Sequence, residues 1–182
     1  MATVKTGLRG FAVASGSLAG RYLLGDTLTQ RCIEQRQEHD RRRAALFGLF
    51  GLVMGGPAYL FYAHVPAQLG RWVEGKWKLV AAMILVDWVF FMPLIYLPVF
   101  YTFREAAYSR PTSCRSLCDS SLRFWAAHVT SDLCAATPLL VTSDVVMFTA
   151  LPAFWRVPFL SSIGLLWVIY ISLKRGSAEC EH

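Results

Sequence analysis

Two aspartates stand alone in long apolar runs. Asp87 is the single charge in residues 79–103, and Asp144 is the single charge in residues 133–155. A charged side chain in the middle of a bilayer costs about 2.5–3.5 kcal/mol on insertion scales, so each acid needs a partner or a wet cavity. Three readings answer that need. The acids line an aqueous path; each accepts hydrogen bonds from a neighbouring helix or pairs with an arginine such as Arg21 or Arg156; or one of them stays protonated. Nearer the N-terminus, Tyr22, Asp26 and Gln30 stand four apart. Positions four apart share one helical face, so they form a polar stripe on an otherwise apolar segment. Asp26, Gln30, Asp87, Asp144 and Arg156 are therefore the candidate polar groups of a bundle interior or pore.

Other chemistry finds no support in the spacing. There is no phosphate-cradling glycine loop, no nucleophilic serine elbow and no helical histidine pair flanking a glutamate. Cys32, Cys114, Cys118, Cys134 and Cys180 are scattered and odd in number, which gives no disulfide framework. Cys114 and Cys118 with His128 and Asp132 are not at a tight zinc spacing. His64 and His128 read as interfacial or packed. The sequence thus predicts no catalytic residue, no metal, no cofactor and no enzymatic activity.

The elements that must position these groups are membrane-length helices. Of 182 residues, 55% are hydrophobic and only 16% are charged, and the mean hydropathy is +0.41. Soluble domains carry about 25% charged residues, so this chain has too little polar surface to cover a water-exposed globule. The same figures exclude a disordered or collagen-like chain. Residues 44–70 and 79–103 are secure spans, each exceeding the roughly 20 residues that cross a hydrocarbon layer. Residues 133–155 form another, and residues 157–173 a short one. Residues 7–33 hold Arg9, Arg21, Asp26 and Arg31 and read as an amphipathic helix. The expected fold is a single all-α domain, residues 1–182, a multi-span transmembrane bundle of four to five helices with hydrophilic joints at 34–40, 70–78 and 104–123.

Within that bundle, the four-residue spacings Gly16 with Gly20 and Gly51 with Gly55 predict close helix approach. Pro57, Pro93, Pro98 and Pro152 remove helical hydrogen bonds, and kinks or packing irregularities are expected there. The net charge of +6 collects where apolar runs stop, at Arg41, Arg42 and Arg43, at Arg71, Lys76 and Lys78, and at Arg104, Arg110 and Arg115. Such placement suits lipid headgroups and not nucleic acid. The loops are too evenly basic to set an orientation. The first acid is Asp26, preceded by Lys5, Arg9 and Arg21, and an acid-poor, arginine-bearing start is the composition of a mitochondrial targeting segment.

Several fragments, in order, resemble the Mpv-seventeen family of small integral proteins of peroxisomal and inner mitochondrial membranes, which includes the peroxisomal protein PMP-twenty-two. Gly25-Asp26 followed by Gln30 is similar to its Gly-Asp-x-x-x-Gln, and Asp40 with Arg43 to its Asp-x-x-Arg. Gly55-Gly56-Pro57 resembles its Gly-Pro, and Asp87 with Pro93 has its spacing. Phe148, Pro152 and Arg156 fall in register with its Asn-Phe-x-x-x-Pro-x-x-x-Arg, and Trp167, Tyr170 and Ser172 with its closing Trp-x-x-Tyr-x-Ser. The fragments cover residues 16–173. Trp88 stands where the family has Gln, Met147 where it has Asn, and Leu140-Val141 and Asp144 where it has Trp-Pro and Gln; Phe61-Tyr62 lies one place early. These changes remove polar groups from a path and make this a divergent member.

The resemblance implies a helical bundle in the mitochondrial inner membrane, or alternatively the peroxisomal membrane, acting as a small-solute channel or in metabolite homeostasis. The competing expectation is a non-conducting structural or accessory subunit of an inner-membrane complex. The expected partners are the lipid bilayer and either further copies of the chain or a larger inner-membrane complex.

Overall fold

Helix ends fall where the sequence supplies caps and prolines, and hydropathy marks them less well. The computed structural model describes residues 2–35, 37–109 and 113–179. Helix α1, Ala2–Leu28, runs on into a π-helical turn, Thr29–Ile33. The Asp40 carboxylate accepts from the Arg43 N–H at 3.0 Å and opens α2, Arg41–Leu69. This is the stabilising N-cap arrangement, which satisfies a donor that the helix leaves unpaired. Gly75, at a φ of 98°, precedes α3, Lys76–Tyr108, and only glycine takes that backbone without strain. The Ser113 hydroxyl caps α4, Cys114–Ala150, and α5 is Ala153–Glu179. The molecule is an all-α bundle, with no strand among the described residues. Helices α2, α3 and α4 are long and apolar enough to cross a membrane.

Two boundaries differ from the sequence expectation. The hydrophilic joint at 104–123 is mostly helix, because α3 continues to Tyr108 and the Ser113 cap starts α4 at Cys114. The apolar run 133–155 therefore forms only the later part of a longer helix. It also stops before Trp155: Leu151 is extended, as the residue before a proline prefers, and α5 begins at Ala153. Pro152 separates two helices instead of bending one. The stretch 157–173 continues α5, in which Trp167, Tyr170 and Ser172 have side chains outside the described residues. Its described apolar part, Ala153–Leu166, is shorter than a span.

The prolines expected to kink spans have a more specific consequence. Residues Asp87–Tyr96 of α3 are π-helical, with Pro93 inside and Pro98 just after. The Leu97 N–H bonds the Met92 carbonyl, five residues back. Pro98 has no N–H, so the Pro93 carbonyl loses both helical donors. The Trp125 indole of α4 donates to it at 2.9 Å. In α2 the same deficit arises at Tyr62, whose carbonyl would accept from residue 66, a proline. Arg156 of α5 donates to that oxygen at 2.5 Å. At Pro66 and at Pro98 the carbonyl left without a helical donor is taken by a side chain from another helix.

Helix α1 packs most extensively on α2 and next on α5. A Cβ on Gly51 would strike the backbone at Leu18 and Ala19, and one on Gly55 the backbone at Ala14 and Ser15. The expected close approach thus forms at the second glycine pair. It does not form at the first, since Gly16 and Gly20 have nothing within 4 Å; the residues of α1 that meet α2 are Ala14, Ser15, Leu18 and Ala19. Above this seam lies an aromatic core. The Phe50 ring is edge-on to Tyr22 at 4.8 Å, Tyr96 at 5.4 Å and Phe100 at 5.5 Å, and the Tyr22 and Tyr96 hydroxyls bond each other across α1 and α3.

Candidate functional site

The polar groups collect in two places. The first is where α1 ends and α2 begins. Arg43 is 2% exposed, and its Nε donates to Asp26 Oδ1 at 2.6 Å. Its Nη1 donates to both Glu34 oxygens, at 2.8 and 3.0 Å. Gln30 donates to Asp26 Oδ2 at 2.7 Å and accepts from the Asp40 N–H at 2.6 Å. The remaining guanidinium nitrogen, Nη2, has no hydrogen-bond partner, but the group lies over the Tyr108 ring with Cζ 5.0 Å from its centroid. Charge-assisted bonds of this length are about twice as strong as neutral ones. The fragments Gly25-Asp26…Gln30 and Asp40…Arg43 are thus two halves of one network that fastens α1 to α2.

The second place is a cavity of about 80 Å³ in the bundle interior. Its polar lining comes from α1 (Arg21), α2 (Tyr62), α3 (Asp87, Trp88, Tyr96) and α4 (Asp144), with Val157, Leu160 and Gly164 of α5 also lining it. Two or three waters at about 30 Å³ each would fill such a volume. Asp87 is 2% exposed; its Oδ2 accepts from the Tyr62 hydroxyl at 3.0 Å, and its Oδ1 has no partner. Asp144 Oδ2 accepts from the Trp88 indole at 3.1 Å. Arg21 forms no ion pair with either acid among the described residues, and its Nε is buried without a partner. The guanidinium is held beside the Tyr22 ring, 4.7 Å from its centroid, and against Gly164, where a Cβ would collide with it. Helix packing therefore keeps one cation and two acids around a shared space.

Of the five polar candidates, the structure brings Asp87 and Asp144 together and leaves the other three elsewhere. Asp26 and Gln30 belong to the α1–α2 network, and Arg156 ties α5 to the Tyr62 carbonyl, with its Nε also donating to the Leu151 carbonyl at 3.3 Å. None of these three lines the cavity. Sequence reasoning missed the uncharged donors. Trp88, which the resemblance counts as a lost polar group, supplies an indole N–H to Asp144, and Tyr62, read only as half of an aromatic pair, orients Asp87. No local signal marks either donor, since Trp88 neighbours Asp87 but serves Asp144 on another helix, and the Tyr62 hydroxyl reaches an acid of another helix.

Elsewhere, Asp132 accepts from the Tyr101 hydroxyl at 2.7 Å, His128 stacks on Phe124 at 4.0 Å, and Cys32, Cys114, Cys118 and Cys134 are exposed. Among the described residues no three His, Cys, Asp or Glu side chains gather as metal ligands would. Comparison with family models, curated proteins and solved structures finds no match to this chain.

Proposed function

We propose that this chain is an integral membrane protein that lets small polar solutes pass, with the cavity between Arg21, Asp87 and Asp144 as its selective element. One observation carries the reading. Acids from two different membrane-length helices and a cation from a third helix line a single space, and Asp87 Oδ1 is without a partner there. An unpaired buried carboxylate oxygen is expensive, and groups that replace part of a solute's hydration shell are what a selective constriction requires. The π-helical turn at Asp87–Tyr96 widens α3 beside the cavity and sets its bore.

Outward features suit a bilayer. Leu85, Val89, Phe90, Leu94 and Ile95 are exposed along α3, and Trp72 and Trp77 stand exposed beside Arg71, Lys76 and Lys78, an interfacial pairing of aromatic and basic residues. The Mpv-seventeen resemblance supports the mitochondrial inner membrane as the compartment, with the peroxisomal membrane second. The non-conducting alternative calls for both acids fully paired and no cavity between them, which is not the arrangement around Asp87.

Purified protein in vesicles tests the proposal directly. Entry of small polar solutes above the rate of protein-free vesicles is expected, and folded protein that leaves the rate unchanged rejects it. Microscopy of a fluorescently tagged copy tests the compartment; a plasma-membrane or secretory pattern rejects it.

A further inference from the structure

Resting on the membrane location alone and not on solute passage, we propose that the connection between α2 and α3, residues 70–78, docks on anionic phospholipid headgroups and gathers them around the protein. Helices α2 and α3 are both of membrane length, so the residues that join them emerge at a bilayer surface. The joint is short. Only residues 70–75 lie outside the two helices, and backbone bonds close the turn on itself, with the N–H groups of Trp72 and Val73 both donating to the Leu69 carbonyl at 2.9 Å. So tight a turn keeps its side chains in the headgroup layer.

Those side chains complement negative charge. Arg71, Lys76 and Lys78 stand against one acid, Glu74; all four are exposed, and none forms an ion pair among the described residues. Helix α3 opens on two lysines with no acid in its first turn, the reverse of the charge that a helix start favours. These cations are therefore answered from outside the fold. Trp72 and Trp77 are 86% and 68% exposed, and Lys76 Nζ lies 5.9 Å from the Trp77 ring centroid. Indole rings seat at the headgroup level of a bilayer, and each lysine or arginine beside anionic lipid adds attraction. A zwitterionic headgroup would seat the indoles as well but leave the three cations without net countercharge.

The opposite end of α2 is built differently. Residues 34–43 hold three acids against four arginines, and there the charges are used within the fold: Arg43 pairs with Asp26 and Glu34, and Arg42 donates to the Ala106 carbonyl of α3 at 3.1 Å. An excess of unused cations beside exposed indoles belongs to the 70–78 connection.

Full-length protein in phosphatidylcholine vesicles, carrying a trace of photoactivatable phosphatidylglycerol or of photoactivatable phosphatidylcholine, tests the docking. Cross-links mapped by peptide mass spectrometry are expected at residues 70–78 about fivefold more often with phosphatidylglycerol, a ratio worth about 1 kcal/mol. The ratio should shrink toward one at about 1 M salt, where screening acts within about 3 Å. Arg71→Gln, Lys76→Gln and Lys78→Gln together should bring the two yields level, whereas Arg41→Gln, Arg115→Gln and Arg123→Gln together should leave the preference in place. Equal yields in the wild type, a preference that the first triple variant keeps, or one that the second removes overturns the assignment. Cross-links to neither lipid overturn the membrane location as well, while a lipid preference without solute flux rejects passage alone. Should a variant fail to fold, the wild-type yields at low and high salt still decide.

Discussion

Arg43 and Arg21 both have buried guanidinium nitrogens near carboxylates, yet they end in opposite arrangements. Around Arg43, Asp26 and Glu34 are drawn to 2.6 and 2.8 Å, and Gln30 and Asp40 tie the same groups to the backbone. Around Arg21, Asp87 and Asp144 stay apart, each held by a neutral donor, with a cavity between. The ingredients are alike, one arginine with neighbouring acids, Asp26, Glu34 and Asp40 in the first set and Asp87 and Asp144 in the second. The difference lies in the elements that carry them. The first set stands at the junction of two consecutive helices, where a short connection lets side chains converge. The second set is distributed over three helices whose spacing is fixed by other contacts: the glycine seam of α1 on α2, the Tyr22–Tyr96 bond and the aromatic core. Convergence there would require moving whole helices.

That contrast is open to attack first at Arg43. Removing one partner of a buried, hydrogen-bonded ion pair leaves the other charge uncompensated and costs about 3–5 kcal/mol. Arg43→Met should therefore lower the unfolding midpoint in detergent, followed by loss of helical circular dichroism, further than any substitution at the glycine seam or beside a proline-freed carbonyl. A midpoint within a degree or two of wild type would mean that the network does not fasten α1 to α2. The double variant Arg43→Met with Asp26→Leu should recover much of the loss, because the stranded acid is gone.

The glycine seam comes next, since it holds the cavity helices at their distances. Gly55→Ala drives a methyl into the Ser15 backbone, and overpacking of this kind costs about 1–3 kcal/mol. Gly16→Ala is the internal control. Nothing lies within 4 Å of that position, and exchanging a helical glycine for alanine gains up to about 1 kcal/mol. Opposite shifts of the two unfolding midpoints are expected, and equal shifts would refute the seam.

A smaller effect is expected where a proline has freed a carbonyl. Trp125→Phe keeps an aromatic ring and removes the donor to Pro93. Interhelical hydrogen bonds in membrane proteins average about 0.6 kcal/mol, and a stranded buried acceptor costs about 1–3 kcal/mol, so a loss near 1 kcal/mol is expected. The unfolding midpoint of that variant in detergent measures it, and an unchanged midpoint would show that the carbonyl needs no such donor.

How far the sequence carried depended on whether a feature was local. The membrane-length helices α2 and α3 are legible because an apolar run is a one-dimensional property. The limits of α4 were not legible, since hydropathy marks the lipid-compatible stretch and not the helix, whose start is fixed by Ser113 and whose end is fixed by Pro152. Asp87 and Asp144 were legible as anomalies in apolar runs. Their meeting was not, because nothing in either run encodes which faces of α3 and α4 turn toward each other. Asp26 and Gln30 are legible as a polar stripe and are grouped by sequence with the cavity acids, and only the position of Arg43 across the α1–α2 connection reveals their different use. Arg156 belongs with a carbonyl because Pro66 is four residues after Tyr62, a relation visible in sequence only once the two helices are known to touch.

The smallest expected change in stability is at the residue whose charge is most exposed to the cost of burial. Asp87→Asn keeps an oxygen to accept from the Tyr62 hydroxyl and removes an ionisable group that no cation among the described residues pairs with. Burying an ionisable group without a partner costs free energy that a neutral isostere does not incur. The unfolding midpoint should therefore stay level or rise, with a shift equivalent to no more than about 0.5 kcal/mol downward, whereas Asp26→Asn, which weakens a paired carboxylate against Arg43, should lower it clearly. If Asp87→Asn destabilised the protein as much as Asp26→Asn, Asp87 would be a structural anchor, and the contrast between a fastened polar cluster and a cavity with an unpaired acid would fail. A level midpoint means instead that the bundle bears the energetic cost of the Asp87 carboxylate with no return in stability, as expected of a group held for a solute.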